Sequence, residues 1–233
     1  MRRALIAAAA ALALAGCGGS SSGGGGAAQV KPGSGASTTP AATNANGCTT
    51  VATPHSNPQQ FSAEPKVTTA AESYTATIVT NCGTIVATLD GKHAPHTVNS
   101  FSFLAGKGFF DNTICHRLTT SGIFVLQCGD PTGTGSGGPG YTIPDENLGG
   151  DPRKVVSYPA GTIAMANAGP NTGGSQFFLV YKDTKLPDAY PQFGTITKGL
   201  DILRHIAAAG SNPPGDGSPV QPVVIESFTV AKG

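Results

Sequence analysis

Apolar and β-branched residues alternate with polar ones along much of the chain after residue 73. Residues 74–79 and 84–89 both show this pattern, and the turn-like Asn81-Cys82-Gly83 lies between them. A period of two in short segments that flank a turn is typical of a β-hairpin. The pattern therefore predicts that the folded part begins with two paired strands.

Apolar residues recur at helical spacing in only two segments. The first follows Ala94-Pro95 and ends at Gly106 and Gly108, and the second lies at residues 200–206. Proline in the first turn and glycine after the last turn are typical helix boundaries. The apolar positions are Val98, Phe101, Leu104 and Ala105 in the first segment and Leu200, Leu203 and Ile206 in the second.

The remaining strand-like segments are short. They are residues 114–118 paired with 123–128, then 161–166, 176–181, 193–196 and 223–230. The pattern thus predicts about eight short strands and two helices, with no regular alternation of strand and helix. This excludes a doubly wound parallel sheet and favours a mainly β fold, either a closed barrel or a sandwich.

Composition divides the chain of 233 residues unevenly. Residues 18–63 are almost entirely small or polar, which is typical of a flexible linker, because such a segment has few apolar side chains to bury. The formal net charge is +1, without a basic stripe or an acidic tail, which argues against nucleic acid as a partner. We therefore predict a linker at residues 17–65 and one folded domain at residues 66–233.

The first seventeen residues have the features of an export signal. Met1-Arg2-Arg3 precedes an apolar run at residues 4–15, which is too short to span a bilayer. Leu14-Ala15-Gly16-Cys17 then resembles the bacterial lipobox, in which the cysteine is lipidated and becomes the mature N-terminus. We expect a signal peptide at residues 1–16 and a lipid on Cys17 that anchors the protein to the outer face of a bacterial cell membrane.

An exported protein meets an oxidising compartment, so the cysteines other than Cys17 are candidates for disulfides. Four remain, which allow three connectivities. Cys115 and Cys128 fall on two predicted strands of one hairpin and could face each other, which would leave Cys48 to reach Cys82. Free buried thiols are the alternative. No cysteine or histidine spacing indicates a metal site.

Three segments together resemble the cyclophilin family of peptidyl-prolyl cis-trans isomerases. They are residues 115–130, with Cys-His-Arg-Leu and Phe-Val-Leu-Gln-Cys-Gly-Asp; residues 165–178, Met-Ala-Asn-Ala-Gly-Pro-Asn-Thr-Gly-Gly-Ser-Gln-Phe-Phe; and residues 186–194. The resemblance covers nearly all of residues 66–233. It implies an eight-stranded antiparallel barrel capped by two helices, with a substrate groove on its outer surface.

The resemblance also implies a reaction without cofactor or metal. Rotation about an X-Pro bond needs a hold on the proline ring and a donor that favours the twisted amide over the planar one. By resemblance, the catalytic residues are Arg117, Phe124 and Gln127. The implied substrate-binding residues are Val125, Gly135, Ala166, Asn167, Ala168, Gln176, Phe178, Leu186 and Tyr190.

The chain departs from the family pattern at three places. Two additional residues separate Arg117 from Phe124, so the turn between them must differ. Lys185 stands where many members carry tryptophan, which predicts weak binding of cyclosporin because a large apolar contact and an indole donor are missing. Tyr190 stands where many members carry histidine and keeps a flat ring beside the proline pocket.

The expected partners are proline-containing, unfolded or partly folded exported polypeptides, bound by a monomer that assists their folding. An alternative is a client-binding module of the same fold in which isomerisation is incidental. A hydrolase is a weaker alternative: Ser175, His116 and Asp130 could be drawn into a triad, but no strand-elbow-helix context surrounds Ser175. We interpret His116 as a structural hydrogen-bonding residue of the hairpin instead.

Overall fold

The computed structural model describes residues 47–51, 58–67 and 72–233. The predicted signal peptide, Cys17 and most of the predicted linker lie outside the described residues. The two helices are α1 (Pro95–Gly106) and α2 (Leu200–Ala208). The strands are β1 (Ser73–Thr80), β2 (Gly83–Asp90), β3 (Thr113–Ile114), β4 (Arg117–Thr119), β5 (Val125–Cys128), β6 (Val155–Tyr158), β7 (Thr162–Met165), β8 (Phe177–Val180), β9 (Thr184–Pro187), β10 (Gln192–Lys198), β11 (Ser211–Asn212), β12 (Asp216–Pro219) and β13 (Val224–Lys232).

The predicted first hairpin is confirmed. β1 and β2 pair antiparallel from Ser73 opposite Asp90 to Thr80 opposite Gly83. Ala76 and Ile78 on β1 are buried while their neighbours along the strand are more exposed, which is the alternation that the sequence pattern predicted. This hairpin fixes one side of the sheet on which the rest of the fold is built.

Eleven of the described strands form one antiparallel sheet in the order β11-β12-β4-β5-β8-β7-β10-β2-β1-β13-β3, and β6 pairs with β9 separately. The mainly β class with two helices is confirmed. The predicted eight-stranded closed barrel is only approximate, because the described strands are more numerous and the hydrogen-bonded order of the large sheet has two ends. The additional strands have two to four residues, too few to show an alternating pattern.

Helix α1 begins at the predicted proline, but the group that caps it comes from a distant loop. The N–H groups of His96 and Thr97 donate to the two carboxylate oxygens of Glu146, at 2.9 and 2.8 Å. A carboxylate at a helix N-terminus satisfies unpaired N–H groups and suits the helix dipole. This contact joins α1 to the long loop that follows β5.

The core is rich in phenylalanine. Phe101 of α1 is fully buried, and its ring centroid lies 4.7 Å from that of Phe193 and 5.3 Å from that of Phe110. Phe177 and Phe228 complete this group at 5.5 and 6.1 Å. Rings from α1, β8, β10 and β13 therefore hold the helix against the sheet.

The structure contains two disulfides, in the pairing that the sequence analysis considered beside free thiols. Cys115 pairs with Cys128, and Cys48 pairs with Cys82 in the turn between β1 and β2. The second bond attaches residues 47–51 to the folded domain, and the Thr49 N–H also donates to the Asn81 carbonyl at 2.8 Å. The folded unit thus includes residues that the composition assigned to the linker, because their contacts come from a few residues in an otherwise polar stretch.

Neither of the helices in the described ranges is long and apolar enough to cross a membrane.

Candidate active site

Arg117 lies on β4 directly opposite Gln127 on β5. Its Nη1 donates a hydrogen bond to Gln127 Oε1 at 3.2 Å. Residues that face each other on neighbouring strands have side chains on the same side of the sheet. The pairing therefore brings two of the predicted catalytic residues together.

Asp216 on β12 holds the other edge of the Arg117 guanidinium. Its Oδ1 accepts from Arg117 Nε and its Oδ2 from Arg117 Nη2, both at 2.7 Å. The hydrogen bonds that Arg117 donates to Asp216 raise the pKa of Arg117 and lower the pKa of Asp216, so the pair is ionised at neutral pH. The sequence analysis missed Asp216, because it lies among glycines and prolines without an alternating pattern.

A row of side-chain amides continues from the arginine across the surface. Gln127 Nε2 donates to Gln176 Oε1 at 2.9 Å. Gln176 Nε2 donates in turn to the carbonyls of Gly135 and Gly137 at 3.0 and 2.9 Å. The donor Arg117, two predicted groove glutamines and the predicted glycine-rich turn thus form one hydrogen-bonded chain.

The glycine-rich turn is organised by one buried carboxylate. Asp130 is fully buried, and it accepts hydrogen bonds from the N–H groups of Thr132, Gly135 and Gly137 at 2.7, 2.6 and 3.0 Å. Burial alone would raise the pKa of Asp130, but these hydrogen bonds lower it below its ordinary value. Gly135 has φ +86°, and a Cβ at Gly137 would overlap the Asp130 carboxylate, so the turn needs glycine at these positions.

A pocket of about 960 Å³ opens beside this row. Its lining contains six of the predicted site residues, namely Gln127, Gly135, Ala166, Asn167, Ala168 and Gln176. The Asn167 side chain turns away to donate to the Ala189 carbonyl at 2.7 Å. Within the described residues, no hydrogen bond uses the backbone N–H or C=O of Asn167, so both are available to a bound peptide.

An apolar cluster lies next to the pocket. Val125 and Phe178 belong to its buried part, together with Tyr158, Ala164 and Val180, and the partly buried Ala166, Leu186 and Tyr190 pack on this part. The ring centroids of Phe178 and Tyr190 are 5.8 Å apart, edge to face. The structure thus brings all five of these predicted site residues together, and Ala166 belongs to both the cluster and the pocket wall.

Tyr158 on β6 packs in the buried part of the cluster, and the sequence analysis missed it. It is fully buried, and its hydroxyl donates to the Tyr190 carbonyl at 2.9 Å. Burial raises the pKa of Tyr158 to about 12, so the hydroxyl keeps its proton and remains a donor. In the sequence, the only signal is a tyrosine at the end of the short segment Val-Val-Ser-Tyr, which does not show by itself that this side chain is buried.

Phe124 does not lie in this cluster, although the sequence analysis placed it among the catalytic residues. Its ring packs on the main core at 6.0 Å from the ring of Tyr181, with Lys182 Nζ 4.2 Å from its centroid. Ile123 packs on the cluster instead. Ile123 and Val125 are two residues apart and share a face, so the alternation of an extended chain directs Phe124 to the opposite face.

The two additional residues between Arg117 and Phe124 lengthen the turn between β4 and β5, in which the Ile123 N–H donates to the Ser121 carbonyl at 2.8 Å. The Phe124 carbonyl accepts from the Tyr181 N–H at 3.2 Å, which fixes the backbone at the start of β5. The additional residues do not change the spacing from Phe124 to Gln127, so the face that Phe124 takes follows from the alternation along the chain.

The three residues of a possible hydrolase triad are not arranged as one. Ser175 Oγ donates to the Gly129 carbonyl at 2.7 Å, and Asp130 is occupied by the glycine-rich turn. Both ring nitrogens of His116 lack a hydrogen-bond partner among the described residues, so the predicted role of His116 as a hydrogen-bonding residue is wrong. Its ring packs against the turn, with Cδ2 3.6 Å and Nε2 3.7 Å from the position that a Cβ of Gly135 would occupy. Burial lowers the pKa of His116.

Comparison with known proteins identifies relatives of the described domain. Residues 75–230 match the sequence model of the family described as cyclophilin type peptidyl-prolyl cis-trans isomerase/CLD. The chain is 51% identical over 173 residues to a probable peptidyl-prolyl cis-trans isomerase B of Mycobacterium leprae, which covers 70% of this chain and 59% of the relative. A protein of the same name from Mycobacterium tuberculosis is 51% identical over 172 residues, covering 70% of this chain and 56% of the relative. The chain thus spans less than two thirds of the length of these curated relatives.

Solved structures show the same fold. A cyclophilin type peptidyl-prolyl cis-trans isomerase of Cryptosporidium parvum superposes with a TM-score of 0.59 at 28% identity, covering 69% of this chain and 99% of that one. A second structure of that protein, in the presence of the dipeptide Ala-Pro, gives a TM-score of 0.58 at 30% identity and covers 68% of this chain and 99% of that one.

Proposed function

The chain belongs to the cyclophilin-type peptidyl-prolyl cis-trans isomerase family, and from this membership we propose that it accelerates cis-trans exchange of X-Pro bonds in polypeptides. The observation that carries the proposal is the fixed guanidinium of Arg117 beside an apolar cluster built on Val125 and Phe178. The cluster is suited to a proline ring. The solved relative in the presence of Ala-Pro supports a substrate of this class.

Arg117 carries the chemical part of the proposal. The planar amide resists rotation with a barrier of about 18–20 kcal/mol, because resonance between nitrogen and carbonyl is lost on twisting. A donor that bonds the prolyl nitrogen or the adjacent carbonyl more strongly in the twisted state lowers this barrier. Three of the five N–H groups of Arg117 are used by Asp216 and Gln127, so two remain for a substrate.

The test is exchange of a short Ala-Pro peptide, measured by magnetisation exchange in NMR spectra, with the full chain and its Arg117→Ala variant. We expect the variant to lose acceleration by about 10²–10³, the usual effect of removing one transition-state donor. Arg153→Ala is the matched control, because Arg153 is 90% exposed and bonds only Asp151. If the parent binds the peptide without accelerating exchange, the domain is a client-binding module.

We further propose that the substrates are exported, unfolded or partly folded proteins, and that the protein meets them at the outer face of a bacterial membrane. The proposal rests on the lipobox-like Leu14-Ala15-Gly16-Cys17 and the apolar run before it. Cys17→Ser should move the protein from the membrane fraction to the soluble fraction of a host that lipidates exported proteins. If the variant still sediments with membranes, the lipid anchor is ruled out.

Weak binding of cyclosporin is part of the same proposal. Lys185 on β9 is exposed and adjoins Leu186 of the apolar cluster, at the position where the family pattern has tryptophan. Lys185→Trp would restore a large apolar surface and an indole donor, and we expect it to tighten cyclosporin binding by about tenfold or more. Equal affinity of parent and variant in a calorimetric titration would contradict this.

A further inference from the structure

A short segment upstream of β1, residues 58–67, borders the large pocket although it lies outside the residues that the family model matches. The Phe61 N–H donates to the Pro139 carbonyl at 2.8 Å, and Gln60 Nε2 donates to the Gly138 carbonyl at 2.8 Å. Gly140, with φ +91°, has no room for a side chain, because its Cβ would lie 2.7 Å from the Phe61 carbonyl oxygen. The segment therefore fits closely against the loop that forms the pocket rim.

Three further contacts hold the segment on helix α1. The Phe61 ring packs edge to face on Phe103, with centroids 4.9 Å apart. Glu64 Oε1 lies 2.7 Å from His96 Nδ1. Asn99 Nδ2 donates to the Pro65 carbonyl at 3.2 Å. Gln60 is thus held at the pocket by the contacts of the residues that follow it in the chain.

The chemistry of the pocket depends on which of its polar groups are already used. Gln60 Nε2 donates both of its hydrogens, to the carbonyls of Gly138 and Gln59. Gln60 Oε1 has no hydrogen-bond partner among the described residues, and the side chain is exposed at the pocket. No charged side chain belongs to the lining. The segment therefore adds a free acceptor to an uncharged pocket.

A bound peptide would reach this acceptor from the apolar cluster. Ala166 belongs to the cluster and to the pocket wall, so the two sites share one boundary. Consecutive residues of an extended chain are separated by about 3.3–3.6 Å. A peptide with its proline on the cluster thus places a residue one or two positions away in the pocket.

We propose that Gln60 is a specificity-determining residue of the groove: its Oε1 accepts a hydrogen bond from a neutral donor side chain, such as Ser, Thr, Asn or Gln, near the X-Pro bond. The inference rests on the proposed function. A lysine side chain is disfavoured, because no carboxylate lines the pocket to offset the cost of desolvating its charge. An apolar residue would leave the acceptor without a partner.

The experiment compares Thr and Val, which have nearly the same shape and differ in the donor hydroxyl. Peptides carry either residue at each of the two positions before and after Ala-Pro. Dissociation constants and exchange rates are measured by NMR titration with the full chain. At one of these positions we expect the parent to bind the Thr peptide about three- to tenfold more tightly than the Val peptide, because one hydrogen bond changes affinity by about this factor.

Two variants of Gln60 test the assignment, and one neighbour controls for the segment. Gln60→Ala should bring the Thr/Val ratio to about one, and Gln60→Glu should shift the preference toward Lys at the same position. Gln59→Ala should keep the parental ratio, because Gln59 Nε2 donates to the Lys107 carbonyl at 3.0 Å and Gln59 does not line the pocket. A merely structural role of the segment would not produce the shift toward Lys.

The outcomes separate the inference from the function. The inference is overturned if the parent shows no Thr/Val difference at any position, if Gln60→Ala keeps the parental ratio, or if Gln59→Ala loses it equally. If the parent discriminates in binding but does not accelerate exchange, the assignment of Gln60 stands and the proposed isomerase function fails.

Discussion

The carboxylate of Asp216 and the guanidinium of Arg117 form a two-point ion pair that joins β12 to β4. Asp216 pairs across the strands with Thr119, two residues beyond Arg117. The arginine side chain is 38% exposed, so without the carboxylate its guanidinium could take many orientations. The carboxylate fixes one orientation of the guanidinium.

Asp216→Asn should therefore slow the reaction more than it weakens substrate binding. We expect kcat to fall about three- to tenfold with little change in KM, because the donor is less well oriented in the twisted state. Asp201→Asn, an exposed aspartate of α2, is the matched control. A faster variant would show instead that Asp216 competes with the substrate for Arg117.

The pH dependence of the same pair has a definite sign. Arg117 lowers the pKa of Asp216, so the ion pair is intact above that lowered pKa and is lost only as the pH falls through it. The pKa of His116 is also lowered, so this ring stays neutral at neutral pH. The contribution of this ion pair to kcat/KM should persist as the pH falls from about 7 and should be lost only below about pH 4, because the pKa of Asp216 lies below its ordinary value. The Asp216→Asn variant should lack that loss where the fold is still intact by circular dichroism.

Ile123 and Phe124 should respond differently to truncation. Ile123→Ala removes part of the apolar cluster, and we expect kcat/KM to fall about tenfold, which corresponds to about 1.4 kcal/mol of lost contact. Phe124→Ala should leave kcat/KM within about twofold and lower the free energy of unfolding by about 1–3 kcal/mol, because its half-buried ring packs on the core. Peptide kinetics and urea denaturation of both variants measure the two effects. The reverse pattern would show that the Phe124 side chain lines the groove.

Asp130→Asn should destabilise the glycine-rich turn. An amide cannot accept all the N–H groups that the carboxylate accepts, so we expect a loss of about 2 kcal/mol in the free energy of unfolding at pH 7. Because the folded-state pKa of Asp130 is lowered, its contribution is present above the unfolded-state pKa and disappears as the pH falls through the folded one. The difference between parent and variant in urea should therefore shrink toward pH 3. A constant difference across this range would contradict the role of the charge.

The sequence predicted the elements with strong periodicity and the site residues within long matching segments. β1, β2 and α1 have several apolar residues in phase, and residues 165–178 match the family pattern at nearly every position. β12 and Asp216 could not be found in this way, because the strand consists of Asp-Gly-Ser-Pro and shows no pattern. Pairing with β4 makes it a strand, and this pairing depends on the tertiary structure.

The same limit applies to contacts between distant segments. The carboxylate of Glu146 caps α1 across 50 residues of sequence, which no local signal indicates. Phe61 is an isolated aromatic residue in a polar stretch, so composition assigned it to the linker, whereas packing on Phe103 fixes it to the domain. The position of Phe124 was misjudged because the resemblance assigned it to the groove, whereas alternation along the chain places it on the face opposite to Ile123 and Val125.

The pairing of the first and last strands of the described fold has a consequence for the order in which the chain is made. β13 lies between β1 and β3 in the sheet and contributes Val224, Ile225 and Phe228 to the core. During synthesis, β1 emerges early and keeps one unpaired edge until β13 emerges about 150 residues later. Completion of this sheet is therefore a late event, and a nascent chain of this protein would itself depend on protection from aggregation until its final strand arrives.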